Sequence, residues 1–487
     1  MVTSLSMELA MMGYESDGQQ KLFYNVNIEK RIPKDHILRK IKDKIDFNFI
    51  YTEVKDMYGY NGNESVPPPV ILKMMLLLIL YNVRSERELM QTIPLRMDWL
   101  WFLGYDIDSE IPNHSVLSKA RKRWGTEAFK TFFERIVWQC VEAGLVAGEK
   151  LFIDSSLVDA NASNNSVVDT GKLKRYLNKS YRQLENRLDE LEDQKTTPVN
   201  RRHISTTDPD ASVIRHGKGK SKLRYKTHRS VDPKKEVITA TTMTPGSVDE
   251  GHLLGQMIET HEKNTQKTLD AVVADSLYGK IENYLLCQDL GLKPHIPSLE
   301  KSQKGSGRKK GIFPKEAFTY NPDTFSCPAG QTLKRRNYYK RRKHYEYKAS
   351  RGTCARCGLK DQCTNAKDGR TLKRHVRQDD LDTMLKVAST REAKRNLKHR
   401  QHLSERSFAQ SERYGYKRAR WRRLWRVEIQ DFLIAAIHNI LILTKHPKDS
   451  AQSQANAQVE QLASARKSYK LFSWTPFAGK TSWVYLL

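Results

Sequence analysis

The sequence predicts an α/β protein: a mixed sheet with flanking helices, preceded by an all-α N-terminal domain and interrupted by a Cys-containing insertion. Three observations carry this. Residues 67–143 give a succession of helix signals. From 149 to 297, runs follow the order strand, hairpin, helix, strand, helix, strand, as expected of a mixed sheet. Residues 298–390 break that order and hold four of the six cysteines, Cys327, Cys354, Cys357 and Cys363.

Residues 1–65 give no pattern. Pro67, Pro68 and Pro69 stop whatever precedes them and open a helix. Residues 70–82 are apolar nearly all round, which predicts a buried core helix. Ser85 with Glu88 forms a capping box, and 85–93 and 95–103 are short helices. Ile111-Pro112-Asn113-His114 is a turn, and 115–124 is a helix with a basic face. Short helices ahead of a basic one suggest a helix-turn-helix-like DNA reader, with Lys119, Arg121, Lys122 and Arg123 as its base-reading candidates. A helical bundle with a solvated basic face fits the pattern equally well. An amphipathic helix at 128–143, closed by Gly144, completes a domain of residues 1–148.

The next domain begins at residue 149. Leu151 to Ser163 (LFIDSSLVDANAS) is a strand delivering Asp154 at its end. A Leu-rich, highly charged helical excursion occupies 172–194, and a polar loop runs from 198 to 222. Residues 223–231 and 236–244 form a hairpin about the turn Asp232-Pro233-Lys234-Lys235. A helix (250–262), a strand ending in Asp275 (269–275), a helix (279–290) and a short strand (293–297) follow. Within the insertion, 302–311 is a Lys/Gly/Ser-rich linker. Residues 334–351 carry nine Lys/Arg, among them Arg335, Arg336, Arg341 and Arg342, interleaved with Tyr338, Tyr339, Tyr345 and Tyr347. Such a stretch can grip phosphates and stack bases. The sheet domain resumes over 391–445. It holds a polar helix bearing Glu405, a basic run (417–426) with Lys417, Arg418, Arg420, Arg422 and Arg423, and a core helix at 427–443. Residues 446–487 form a polar tail.

The net charge of +28 points to a polyanion, nucleic acid before an anionic membrane. The most apolar run, 70–81, has 12 residues including Lys73, too short to span a bilayer. The first residues lack a basic n-region, so no signal peptide is expected, and the protein is placed in the cytoplasm. Two strand-borne Asp, Asp154 and Asp275, and one helix-borne Glu, Glu405, suit a pair of Mg²⁺ (or Mn²⁺) ions. Hard cations want carboxylate oxygens, and two metals roughly 3.5–4 Å apart clamp both oxygens of a phosphodiester displacement. A lone Asp at a strand end is also an ordinary cap. Four thiols in a reducing cytosol suit a structural Zn²⁺, although four small hydrophobic residues would look the same. Cys140 and Cys287 belong to apolar helix faces, and His228 and His252 to hydrogen bonds beside the acids.

The flanks of the acids add more. Asp154-Ser-Ser-Leu-Val-Asp-Ala-Asn-Ala-Ser, Thr207-Asp-Pro-Asp-Ala, Tyr225-Lys-Thr-His, Thr244-Pro-Gly, Ala274-Asp-Ser-Leu-Tyr-Gly and Ser404-Glu-Arg-Ser-Phe-Ala stand in one order. From Pro68 to Leu443 the chain resembles the DDE transposases of bacterial insertion sequences; the run from Ser404 through Tyr416-Lys-Arg-Ala-Arg to Gln430 and Asn439 is its most specific part. The resemblance implies a ribonuclease-H-like core with Asp154, Asp275 and Glu405 as the metal-binding triad, and a supporting role for Asp208 and Asp210. It implies metal-dependent phosphodiester hydrolysis at element ends and strand transfer into target DNA. The partners would be double-stranded DNA, namely terminal inverted repeats and target, and further copies of the chain assembled on it. Two positions depart from the pattern. Glu412 stands where a Lys is usual and Gln401 where an Arg is common; Arg400 and Arg413 are adjacent and could substitute imperfectly, which makes Arg400 a candidate DNA contact. Glu412 therefore competes for the third carboxylate. A metal-dependent nuclease on the same core and a catalytically decayed DNA-binding remnant stay open.

Overall fold

The computed structural model describes residues 26–59, 64–170, 198–215, 217, 219–298 and 312–446. The expected excursion at 172–194, the linker at 302–311 and the tail beyond 446 lie outside the described residues.

The N-terminal helices form as their signals predict. Pro68–Leu80 begins on the prolines and is buried almost throughout. Ser85 Oγ accepts the Glu88 amide at 3.1 Å to cap Glu86–Thr92. Met97–Leu103 ends on Gly104, whose φ of +84° closes the helix in the left-handed region. Ser115–Trp124 and Glu127–Glu142 follow.

The sheet is built from β1 (Lys150–Asp159), β4 (Ser212–Ile214), β5 (Lys222–Val231), β6 (Ile238–Pro245), β7 (Ala271–Val273) and β8 (Lys293–His295). A small ribbon pairs β2 (Val167–Asp169) with β3 (His203–Ser205). In the main sheet β5 lies antiparallel to β1, and both β4 and β6 pair with β5. On its other side β1 runs parallel to β7, and β7 parallel to β8. Leaving aside the short β4 on β5, the strands stand in the order β6-β5-β1-β7-β8, three antiparallel and then two parallel additions. One expectation needs correction: Asp154 is not at the strand end but at its middle. The strand continues because Ser155 to Asp159 find partners on β5, from His228 to Arg224.

Leu424–Lys445 is the hub of the apolar core. It is long and apolar enough to cross a membrane by length and composition, yet most of it is buried inside the protein. Phe432 stacks on Phe133 of the Glu127–Glu142 helix at 6.0 Å. Its polar residues are used: Asn439 accepts the Ile238 amide and donates to the Ile238 carbonyl, both at 2.8 Å, docking the helix on the edge of β6. One apolar cluster runs from Ile32 through the N-terminal helices to β5, β6 and this helix, so packing continues across residue 148.

The insertion is a second sheet, which the sequence did not predict. β9 (Thr319–Asn321), β10 (Thr324–Ser326), β11 (Thr332–Tyr339), β12 (His344–Lys348) and β13 (Thr371–His375) form an antiparallel meander. Phe318, Phe325, Leu333, Tyr347 and Leu372 make its own small core. The expected boundary at 390 shifts: helix Gln378–Ala388 packs Leu381, Met384 and Leu385 into the core under β7 and β8, so it belongs to the main domain.

Helix Arg391–Glu412 lies on the sheet through a stripe of small residues, with Ser404, Ser407 and Ser411 buried. Below it, Arg229 of β5 is 1% exposed and pairs with Asp431 at 3.2 Å. Arg229 also donates to Ser411 Oγ at 2.8 Å and Ser407 Oγ at 3.3 Å. Asp431 accepts further from Thr227 and Thr241. Breaking such a pair from one side leaves a buried charge uncompensated. Asp431→Ala is expected to lose about 3–5 kcal/mol of stability, seen as a lower urea midpoint with an unchanged slope.

Candidate active site

The site begins with the register of β1 and β7. Phe152 and Val273 are the last paired residues of the two parallel strands. Asp154 and Asp275 each stand two residues beyond that last pair, at the same end of the two strands, and the Asp154 charge is felt by the Asp275 carboxyl. The Asp275 carboxylate caps the following turn, accepting the Leu277 amide at 2.9 Å. The Asp154 carboxylate accepts the Ser155 amide at 2.9 Å. Leu403 packs on Phe152 and Val273, fixing the Arg391–Glu412 helix over this point. The next residue, Ser404, is buried against Asp154.

Arg400, one turn earlier, pairs with Asp154 Oδ2 at 2.9 Å. It was expected to grip DNA; the helix period instead turns it inward with Ser404, onto the one carboxylate in reach. Glu405 follows Ser404 and so lies about 100° around the helix, on its exposed side, where it accepts from Gln401 at 3.0 Å. Glu412 is two turns further on, past Arg229, and is held by Lys417 at 3.0 Å. The geometry favours Glu405 over Glu412 as the third acid, because only Glu405 adjoins a residue that touches Asp154.

Electrostatics mark the two Asp. Burial pushes the Asp154 carboxyl above the usual range, against the pull of the Arg400 guanidinium. Burial does the same to Asp275, and the charges of Glu250 and Asp154 add to it. Carboxylates crowded out of water in this way favour a cation. Tyr278 lies in the same field, its hydroxyl raised by burial and by Glu250, Asp275 and Asp154. His228 is fully buried between Tyr278 and Thr244, at 3.4 and 3.0 Å, and burial pushes it down to about 3. It therefore stays neutral and hydrogen-bonded, as expected. Sequence reasoning missed Glu250, whose position is set by a turn and not by any periodic signal. Among the described residues, no group of three or more His, Cys, Asp and Glu stands at ion-holding spacing.

The supporting acids have a visible task. Asp208 accepts the Tyr225 hydroxyl at 2.6 Å and the Arg423 amide at 2.9 Å, and Asp210 accepts the Leu424 amide at 2.9 Å. Together they cap the N-terminus of the core helix, where unpaired amides favour negative charge. Gln430 stitches the preceding loop to that helix through the Gly415 and Arg418 carbonyls, both at 3.1 Å.

The basic candidates divide. Lys119, Lys122 and Arg123 are exposed, but Arg121 is 3% exposed, pairs with Glu86 and lies 4.0 Å under the Trp421 ring. Its position between Leu117 and Trp124 on the inward face explains this. Arg420 is likewise drawn in, donating to the Val83 carbonyl and Asn82 Oδ1. Arg423 is half-buried at the helix cap, whereas Lys417, Arg418 and Arg422 are exposed. Arg335, Arg336, Arg341 and Arg342 lie exposed on the β11–β12 hairpin, beside Tyr338 and Tyr339.

The four insertion cysteines line one cavity with Phe318 and Leu333. The Gln331 amide donates to Cys327 Sγ at 3.3 Å. Gly369 backs Cys354 so closely, at φ +88°, that a Cβ there would stand 2.5 Å from its sulfur.

Residues 26–123 match the family described as Transposase domain (DUF772), and residues 326–444 match Transposase DDE domain. The second match includes Glu405 but neither Asp. The chain is thus an enzyme that cuts and transfers DNA strands. More particularly, it is a transposase of the DDE class. A similar solved structure, described as the cryo-EM structure of piggyBac transposase synaptic complex with hairpin DNA, shares 10% identity at a TM-score of 0.34, over 91% of this chain and 81% of that one. No curated protein matches the chain.

The division of the basic residues is testable. Arg121→Ala should lower the melting temperature. Lys119→Ala, Lys122→Ala and Arg123→Ala should leave it unchanged and reduce the preference for element ends over random duplex more than overall DNA affinity. Equal melting losses from all four would refute the division.

Proposed function

We propose that the chain is the transposase of an insertion sequence and that its chemistry is metal-dependent, on a ribonuclease-H-like core. The strand order, with three antiparallel strands and two parallel ones beyond β1, supports that core. The observation that carries the reading is that Asp154, in the middle of β1, and Asp275, just past β7, each stand two residues beyond the last β1–β7 pair, under the helix that bears Glu405. Two half-buried carboxylates with raised affinity for protons are a donor set suited to Mg²⁺ or Mn²⁺. When bound, such ions supply the positive charge that activates an attacking oxygen and neutralises a leaving one.

The chain's own groups do the rest. Asp154 and Asp275 hold the charge at a fixed point because both are anchored by backbone amides. Glu405 completes the set from the exposed side of its helix. Arg400 neutralises Asp154 until a cation does. The exposed Arg418, Arg422 and the β11–β12 arginines hold phosphates of element ends and target duplex without reading their sequence, and the exposed Lys119, Lys122 and Arg123 are left as the candidates that read the ends. Further copies of the chain would assemble on the DNA. Asp154→Asn, Asp275→Asn and Glu405→Gln are expected to abolish cleavage of an end-bearing duplex while leaving DNA affinity nearly intact. Near-wild-type turnover in any one of them removes that residue from the triad. The same duplex separates the alternatives. Cleavage without strand transfer means a nuclease. No cleavage by the wild type with Mg²⁺ or Mn²⁺ means a remnant, which Glu412 in place of Lys would explain.

The insertion supports a structural Zn²⁺. Cys327, Cys354, Cys357 and Cys363 face one cavity, and an amide already donates to one sulfur, as thiolate ligands require. Metal analysis of the purified chain is expected to find one zinc. Its absence, with all four thiols reactive, would refute the site.

A further inference from the structure

The segment joining β6 to helix Leu254–Thr265 is lashed to the turn that carries Asp275. Lys280 pairs with Asp249 at 2.6 Å. The Asn283 side chain donates to the Gly251 carbonyl at 2.9 Å and to the Tyr278 carbonyl at 2.8 Å. Gly251 is pressed so near that a Cβ would meet Lys280 at 2.7 Å and the Leu277 carbonyl at 3.2 Å. Between Asp249 and Gly251, Glu250 is turned into the protein, its side chain 7% exposed. One of its oxygens takes the Lys226 ammonium at 3.0 Å. The other, Oε2, is buried without a hydrogen-bond partner. An unpaired buried acceptor costs on the order of 1–3 kcal/mol, more when charged, so it calls for a bound water or ion to satisfy it.

Resting on the cation reading above, we infer that Glu250 is a further carboxylate of the divalent-cation site, contributing its unpaired oxygen beside Asp275. Its charge already reaches that site: after burial, Glu250 is the largest influence raising the Asp275 carboxyl. A buried carboxylate beside two half-buried ones that repel one another is unfavourable alone and favourable around a cation. Lys226, anchored also on the Val248 carbonyl at 3.1 Å, holds Glu250 in place meanwhile.

The experiment is Mn²⁺ titration of the full chain by calorimetry, for the wild type, Asp154→Asn, Glu250→Gln and Lys226→Met, with circular dichroism to confirm folding. Glu250→Gln is expected to weaken Mn²⁺ binding about 10- to 100-fold, the scale of removing a group that shapes a metal site. Lys226→Met should bind at least as tightly as the wild type, because the Glu250 charge is no longer shared. Wild-type affinity in Glu250→Gln, beside weakened binding in Asp154→Asn, overturns the role of Glu250 alone. Equal weakening by Glu250→Gln and Lys226→Met shows a merely structural pair and also overturns it. A wild type that binds no Mn²⁺, or an Asp154→Asn that binds normally, overturns the cation reading and Glu250 with it.

Discussion

The buried pair of Arg229 and Asp431 sets the geometry on which the site depends. Arg229 is the register partner of Asp154 on the neighbouring strand. Directly opposed residues of an antiparallel pair share a face, so whatever Arg229 holds is held over Asp154. It holds the Ser407–Ser411 face of one helix and Asp431 of another. Serines at that face let the helix approach closely, and the guanidinium supplies donors in a fixed plane. Phe408 and Tyr416 close over it at 5.0 and 5.2 Å, excluding water. A Lys could not fill both the planar and the stacked roles.

The same pair explains why the last core helix matters to a site it never enters. Asp431 lies one helical turn from Val427 and fixes rotation, Asn439 fixes translation along β6, and Asp208 with Asp210 fixes the start. Arg121 and Arg420 extend the arrangement to the N-terminal helices. Two arginines that look like DNA contacts instead join the first third of the chain to the basic loop at 417–426. The exposed basic groups near that loop thereby acquire a fixed position relative to the acids.

The insertion stands apart in its chemistry. Its small sheet has a core of a few aromatic and aliphatic residues, too little to be stable on apolar burial alone. Four cysteines line a cavity at one side of that core. The exposed β11–β12 hairpin, studded with arginine and tyrosine, is then presented on a fixed support.

Much was legible in the chain itself. The prolines at 67–69, the Ser85 cap, the turn at 232–235 and the alternation of the strands are local signals, and each formed the element it encodes. The two Asp and the Glu were singled out through their flanks. Local signals say which face of an element is polar, however, and not what meets it. Arg121, Arg400 and Arg420 looked like their exposed neighbours, and only partners hundreds of residues away, or one turn along a packed helix, turned them inward. Glu250 gave no periodic signal, and the meander of the insertion has strands as short as three residues, too brief for alternation to show. The sequence by itself determined the chemistry available, an excess of cations, two strand-borne acids and a helix-borne third. The tertiary structure alone decided which charges face DNA and which face each other, because burial and pairing are settled by the contacts between elements and not within them.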